Sequence, residues 1–525
     1  MPAELLNGDG SVNQGSAGGG PSYWQYTLAG TGRETYVPKF FYFGSRYQQV
    51  EVMPASAGGP LPTVEALSTT MVHANSAVAG RFNSSNELFN RTWQLVRYAQ
   101  RSNMMSVMTD CPHREKLGWL EEDYLNGPAL RYNFDMAPLF AKVMNDMADS
   151  QLEDGMVPGV APEYTKFGEG DANPFRSSPE WGSAFVQVAW QQYQFNGDLG
   201  LLRRHYEGMK RYVAYLTSKS DGHIIDFGLG DWFDIGPGEP GFGKLTPRAL
   251  TGTATYFANA QILATTAGLL GNKADAEKYR KLMEEIRVAF NAKFFNEAAK
   301  SYATGSQTSN AMALALGLVA PQHKVAVLDA IVKDVQGRGN ALTSGDVGYR
   351  YLLRALADGG RSDVIFAMNN QSDKPGYGYQ LKRGATSLTE AWDANPGPSQ
   401  NHFMLGQINE WFYHDLAGIQ AAGPGFAEIA IRPAFLPDIQ RVNATFVSPY
   451  GEIGSHWERK NSRLSLAVTV PGNTSAVVYL PVKSVSGVTE GGKALRDVAG
   501  VRVLGVKDGV AVLRVGSGRY LFGVN

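Results

Sequence analysis

The chain has 525 residues, too many for one ordinary domain of ~100–200 residues. A hydrophobic content of 43%, a charged content of 18% and a net charge of -1 describe a globular protein with ample core and exclude a basic nucleic-acid footprint or an acidic tail. One cysteine excludes an internal disulfide, and eight scattered histidines offer no Cys/His metal cluster.

The N-terminus, MPAELLNGDGSVNQGSAGGGP, has neither a basic nor an apolar leader region, so no signal peptide is expected. As written the protein reads as cytoplasmic; a truncated start would make it periplasmic or secreted. No run of ~18 apolar residues exists to span a membrane. Residues 1–20, Gly/Ser-rich from residue 7, are expected to be flexible. Residues 21–80 include YWQYTLAG and FFYFGSRYQQVEV, aromatic and β-branched runs with turn punctuation. They read as strands, the remnant of an N-terminal β-sandwich.

From about residue 86 the hydrophobic period becomes helical. Phe89, Trp93 and Val96 share one helix face, as do Tyr279, Leu282, Met283, Ile286 and Phe290, and later Leu405, Ile408, Phe412 and Leu416. About a dozen helices are expected between 86 and 420, joined by Gly/Pro-rich loops as long as 228–245. Loops of that length in a compact domain are usually functional. Such a count points to an (α/α)6 barrel over 81–420, six inner helices around a cavity. A helical repeat array and two stacked bundles are the alternatives, and no fixed repeat of ~34–47 residues favours the first. After 420, Leu464, Leu466, Val468 and Val470 alternate, and Asp508-Gly509 signals a hairpin, so 421–525 reads as a C-terminal β-sandwich. The expected fold is mainly α.

Ionisable groups crowd into TDCPHREKLGWLEEDYL (109–125), which holds Asp110, Arg114, Glu115, Trp119 and Glu122. A second such stretch, GATSLTEAWDANPGPSQNH (384–402), holds Glu390, Trp392 and His402. Between them lie SSPEWGS with Trp181 and GLGDWFD with Asp231 and Trp232. Singly each has an ordinary explanation: a solvated face, a core tryptophan, a structural histidine, a turn cap at Asp231. Yet Cys111-Pro112 and Leu117-Gly118-Trp119 are poor material for a solvated face, and Pro112 interrupts a helix. Together the loops suit a polar ring with apolar faces: a sugar stacks on indoles and offers hydroxyls to carboxylates, Arg and His. Glycoside cleavage needs one protonated and one ionised carboxyl, and Glu115 and Glu390, each near a Trp, are the candidates.

DCPHREKLGWLEED strongly resembles the signature of the inverting α-L-rhamnosidase family, and the match continues through EWGSA, GDW, GATSLTEAWD and QNHFMLG, over roughly residues 36–525. The resemblance implies an (α/α)6 catalytic barrel, with Glu115 as general acid and Glu390 as general base. It implies Asp110 and Arg114 as sugar-hydroxyl ligands, Trp119, Trp181 and Trp232 as pocket aromatics, and His402 as the histidine of the Asn-His pair. The loop before Glu115 is one residue shorter than in many members. The acidic position three residues after the tryptophan falls on Glu122, with Asp123 next to it. Most members also carry several N-terminal β-sandwich domains, nearly all of them missing from this sequence.

In that reading Glu115 protonates the glycosidic oxygen while Glu390 activates a water on the opposite face, which needs carboxyls ~6.5–9.5 Å apart. The acid must stay protonated, which burial against Trp119 favours and which Arg114 and Lys116 oppose unless turned away. The methyl of rhamnose against indole is worth about 0.8 kcal/mol, and specificity rests mainly on the hydroxyl contacts. The partner expected is a rhamnosylated small molecule or oligosaccharide, with no metal or organic cofactor, no nucleic acid and no membrane. Two rival readings are an α/α-barrel polysaccharide lyase using His402 with Arg114 near a uronate, and a catalytically silent carbohydrate-binding relative.

Overall fold

A computed structural model describes residues 1–17, 21–169, 173–461 and 463–524. Among them, fifteen α-helices run from Glu87–Ser102 to Ile408–Trp411. None is long and apolar enough to cross a membrane. Six helices contact one another in a closed ring: Gly127–Asn133, Ala184–Asn196, Arg248–Leu269, Gln307–Ala315, Asp346–Asp358 and Ile408–Trp411. After each of the first five comes an outer helix, and Glu87–Ser102 takes the sixth outer place against Ile408–Trp411. This is the expected (α/α)6 barrel.

Burial separates the two layers. Arg248–Leu269 is buried on nearly every face, while its hairpin partner Lys273–Phe294 buries only a stripe that includes Tyr279, Ile286 and Phe290. The turn between them follows from Gly271, in the left-handed region at φ +79°, and Asn272, whose side chain caps the next helix at the Asp275 amide. In the late stripe, Ile408 and Trp411 are α-helical, but Phe412–Leu416 is a π-turn. Its wider winding still buries Phe412 and Leu416.

Every loop singled out above runs up to the start of an inner helix: 109–126, 177–183, 228–247 and 384–407. Because outer helices return the chain, successive inner helices run the same way, and the barrel gathers these loops at one end. That convergence turns scattered motifs into a site.

The C-terminal region is two sheets. One places Gly80–Ser84, Arg441–Ser448, Gly451–Lys460, Arg463–Val470 and Gly518–Val524 side by side, all antiparallel. The other is built around Glu428–Ile431, Ser475–Leu480 and Val510–Val515. Leu464, Leu466, Val468 and Val470 all face the core, and Asp508 and Gly509 both adopt positive φ in the hairpin turn between Lys507 and Val510, as the alternation predicts. Gly80–Ser84 belongs to this sheet although it precedes the barrel, with Gly80 opposite Phe446 and Ser84 opposite Val442. Only glycine fits at 80, since a Cβ there would lie 2.1 Å from the Tyr132 carbonyl oxygen.

The expected N-terminal β segment is present but short, and the residues expected to be flexible ahead of it are held. The first seventeen residues are not loose: Pro2–Ala3 pairs with Tyr47–Gln48, and Glu4, Ser16 and Ala17 are buried. Residues 18–20 lie outside the described residues. The strands expected over 21–80 reduce to Tyr47–Gln48 and the start of Gly80–Ser84. Strand composition needs a neighbouring sheet to pair with. None lies beside this segment among the described residues, and Val37, Phe40 and Met53 stay exposed.

Candidate active site

The stretch 109–119 is a closed loop. The Asp110 amide donates to the Leu117 carbonyl at 3.0 Å, and the Leu117 amide returns a bond to Asp110 Oδ1 at 2.9 Å. Trp119 is fixed beyond it by a bridge to Val160. Asp110 is buried, and burial raises its carboxyl to about 6 against the opposing pull of His402.

Glu115 stands at the crest of the loop. Its carboxylate accepts the Trp119 indole N–H at 3.0 Å but remains exposed, so the expected burial against Trp119 is not realised: the ring approaches by its N–H rather than covering the acid. The neighbouring cations are turned away. Lys116 adopts a positive φ of 57°, donates to the Tyr42 carbonyl at 2.9 Å and lies 4.7–5.2 Å from the ring centroids of Phe41, Tyr42 and Phe43. Arg114 donates to the Ser16 carbonyl at 3.2 Å and the Gly397 carbonyl at 2.7 Å. Its guanidinium thus ties loops together instead of standing free for a sugar.

Facing this loop is a carboxylate–imidazole group. His402 Nε2 lies 2.9 Å from Glu122 Oε1, and its Nδ1 lies 4.0 Å from Glu390 Oε2. Glu390 is partly buried and accepts the Ser399 amide at 2.7 Å. Burial alone would lower His402, but Glu122 and Glu390, with Asp110 behind them, outweigh it and hold the imidazole up to about 10. Burial, reinforced by Asp110 and Glu390, raises Glu122 to about 7 despite His402. Both adjacent acids are buried; Glu122 is the one paired with His402, while the opposing charge of Asp123 is Arg131.

The His402 pair carries a pH signature. An imidazole raised from an ordinary 6.5 to about 10 stabilises the fold fully below pH 6.5, and that stabilisation is lost as the pH rises towards 10. Melting temperatures of wild type and His402→Gln, measured from pH 6 to 10, should show the wild type falling over this range and the variant nearly flat across it. Parallel curves would mean His402 is not held as an imidazolium.

The aromatic positions divide. Trp119 packs on Phe167 (ring centroids 5.2 Å apart) and Phe175 (6.3 Å), and Phe175 meets both Trp232 and Phe242 at 5.6 Å. These rings form a continuous half-exposed wall beginning at the Glu115 partner. Phe167, Phe175 and Phe242 escaped the sequence reading because no acid or motif accompanies them. Trp181 is buried behind the wall, and a Cβ on Gly159 would meet both its ring and that of Trp119.

Two candidates belong to the scaffold instead. The Trp392 ring is 2% exposed, donates to the Ser344 carbonyl at 2.9 Å and packs edge-on against Tyr349 and Tyr377, a core position. Asp231 is fully buried, accepting from Thr308 Oγ1 at 2.6 Å and from the Gly345 and Gly348 amides at 3.0 and 2.8 Å. It caps the inner helix Asp346–Asp358, and both its oxygens are used within the fold. A Trp beside an acid reads the same in sequence whether it faces a ligand or a core.

Three family models match the chain in order. They are the bacterial alpha-L-rhamnosidase concanavalin-like domain over residues 2–73, the 6 hairpin glycosidase domain over 77–416 and the C-terminal domain over 418–495. A curated alpha-L-rhamnosidase of Streptomyces avermitilis is 30% identical over 99% of this chain and 49% of its own length. The crystal structure of Streptomyces avermitilis alpha-L-rhamnosidase complexed with L-rhamnose matches with TM-score 0.87 and 28% identity, over 100% of this chain and 49% of that one. The structure of alpha-L-rhamnosidase from Dictyoglumus thermophilum gives TM-score 0.88 and 32% identity, over 100% and 58%. The chain thus spans about half the length of the curated relatives it matches. The hairpin model alone covers well over half of the sequence and coincides with the barrel derived above, and on that ground the chain belongs to the bacterial alpha-L-rhamnosidase family.

Proposed function

We propose that this chain hydrolyses a terminal α-L-rhamnosidic bond in a rhamnosylated small molecule or oligosaccharide, with inversion at the anomeric carbon. The proton of Glu115 passes to the glycosidic oxygen as the bond to the leaving group breaks. Glu390 takes a proton from the water that attacks the opposite face, and β-L-rhamnose departs. The observation that carries this reading is the pairing of Glu390 with the His402–Glu122 group on a loop that Arg114 ties to the loop carrying the Glu115–Trp119 pair. One Glu390 oxygen is engaged by the Ser399 amide, which fixes the carboxylate while the other oxygen serves the water. Asp110 supplies a hydroxyl ligand, Glu122 holds the His402 imidazole, and the wall from Trp119 to Trp232 takes the apolar face of the sugar.

The lyase alternative is disfavoured by the same geometry. A histidine flanked by two carboxylates and raised to about 10 is already protonated at neutral pH and does not serve as the base that removes a C5 proton.

Hydrolysis of 4-nitrophenyl α-L-rhamnopyranoside, followed by proton NMR, tests the proposal. The expected first product is the β anomer, with the α form appearing only as mutarotation proceeds. An α anomer formed first would mean retention and overturn Glu390 as the general base; an inert wild type would overturn the activity. Glu115→Gln should lose about 10²–10⁴-fold on methyl rhamnoside but much less on the nitrophenyl substrate, whose leaving group needs little protonation.

A further inference from the structure

The segment before the barrel touches the two loops that carry Glu115 and Glu390, and one buried carboxylate touches both. Glu4 Oε2 lies 2.8 Å from His113 Nε2 and accepts the Gln400 amide at 2.9 Å. Glu4 is 4% exposed, and the His113 side chain is completely buried. His113 is two residues before Glu115. Gln400 follows Ser399, whose amide holds the Glu390 carboxylate.

Neighbouring contacts repeat the pattern. Arg114 bonds the Ser16 carbonyl on one side and the Gly397 carbonyl on the other. The Gly44 amide donates to the Pro112 carbonyl at 2.8 Å, so closely packed that a Cβ on Gly44 would lie 2.3 Å from Pro112 Cγ. Lys116 reaches the Tyr42 carbonyl, and Arg46 reaches the Gly384 carbonyl at 3.0 Å. Residues 112, 113, 114 and 116 are thus all gripped from the N-terminal side, while the Glu115 carboxylate is left to Trp119.

We infer that Glu4 is a positioning residue that sets the separation of the two carboxylates, by clamping the Glu115 loop and the Glu390 loop to one another through His113 and the Gln400 amide. The inference rests on the proposed hydrolysis. An inverting site must hold its two carboxyls at a fixed gap with a water between them, so a shift of about 1 Å in either loop costs on the order of 10²-fold in rate. The two loops lead to the first and the sixth inner helix, neighbours in the ring, and Arg114 joins them directly at the Gly397 carbonyl; Glu4 adds a second tie from outside both loops. A carboxylate is suited to the role because one of its oxygens meets both the His113 imidazole and the Gln400 amide.

The test compares wild type, Glu4→Gln and Glu4→Ala in the full chain. With 4-nitrophenyl and methyl α-L-rhamnosides, Glu4→Ala should lower kcat by about 10–100-fold with KM within about threefold. The loss should be greater for the methyl glycoside, which depends on the placement of Glu115. Glu4→Gln, which keeps an acceptor for the Gln400 amide, should recover part of it. Unchanged kcat in Glu4→Ala, or a loss equal for KM and kcat, overturns the inference. Hydrogen exchange separates this from failure of the activity itself. Even if no rhamnoside is cleaved, Glu4→Ala must speed exchange at both the Leu117 and Ser399 amides, and acceleration confined to residues 1–49 would show that Glu4 merely anchors its own segment.

Discussion

Replacing Glu390 with glutamine should abolish measurable release of nitrophenol from 4-nitrophenyl α-L-rhamnopyranoside, a fall in kcat of about 10²–10⁴-fold. The substitution is nearly isosteric and leaves an amide oxygen able to accept the Ser399 N–H, so the loop from 384 to 402 keeps its anchor. What is lost is the capacity to take a proton from water. That interaction exists only in the transition state, so KM should change little while kcat and kcat/KM fall together. The activated leaving group offers no escape, because it relieves the need for an acid and not for a base. Retention of more than a tenth of the wild-type rate would place the base elsewhere, with Glu122 next in line through its shared contact with His402.

Replacing Arg354 with methionine should cost about 3–5 kcal/mol of stability, seen as a drop in melting temperature of about 3–5 °C. Arg354, on the inner helix Asp346–Asp358, donates to both oxygens of Asp415 at 2.6 and 3.2 Å and to Asp358 at 2.7 Å. One turn earlier, Arg350 grips Glu410 in the same bidentate way at 2.8 and 3.1 Å. Burial would raise Asp415, but His414 and Arg354 outweigh it and hold the carboxyl well below the usual range. The stability this supplies is present above the ordinary carboxylate pKa and is lost only as the pH falls beneath it. Methionine fills similar volume but strands a buried charge, which is the costly half of breaking such a pair. A double variant, Arg354→Met with Asp415→Leu, should therefore melt closer to wild type than the single one. If the single variant melts within about 1 °C of wild type, roughly the effect of 1 kcal/mol, the pair is solvated and contributes little.

Legibility in the sequence followed the range of the contacts. Glu115 and Trp119 are four residues apart, so their pairing could be read from one motif. Glu122, Glu390 and His402 were found separately, each in a dense polar loop, and the closure of the barrel brought them together. The helical period exposed the inner and outer layers, and alternation exposed the sandwich. Glu4 gave no signal, because its meaning lies in a contact 396 residues away and its neighbourhood looks like a glycine-rich tail. Trp392 and Asp231 carried the right local chemistry but point into the scaffold, a distinction set by the packing of Tyr349, Tyr377 and Thr308 rather than by their own neighbours. The run from 21 to 79 had strand composition, but pairing is a property of two segments, and only one was visible.

The edge strand Gly80–Ser84 imposes an order on how the molecule is made. Its partner, Arg441–Ser448, follows about 360 residues later, so at ordinary elongation rates of ~5–20 residues per second the first strand emerges from the ribosome roughly 20–70 s before the second exists. During that interval Phe82, which ends up stacked on Phe412, has neither its sheet nor its aromatic partner. The ring of helices closes once Ile408–Trp411 has emerged to meet Gly127–Asn133, but the strand ahead of it is committed only when the sandwich arrives, and a nascent chain stalled before residue 441 leaves that strand unpaired.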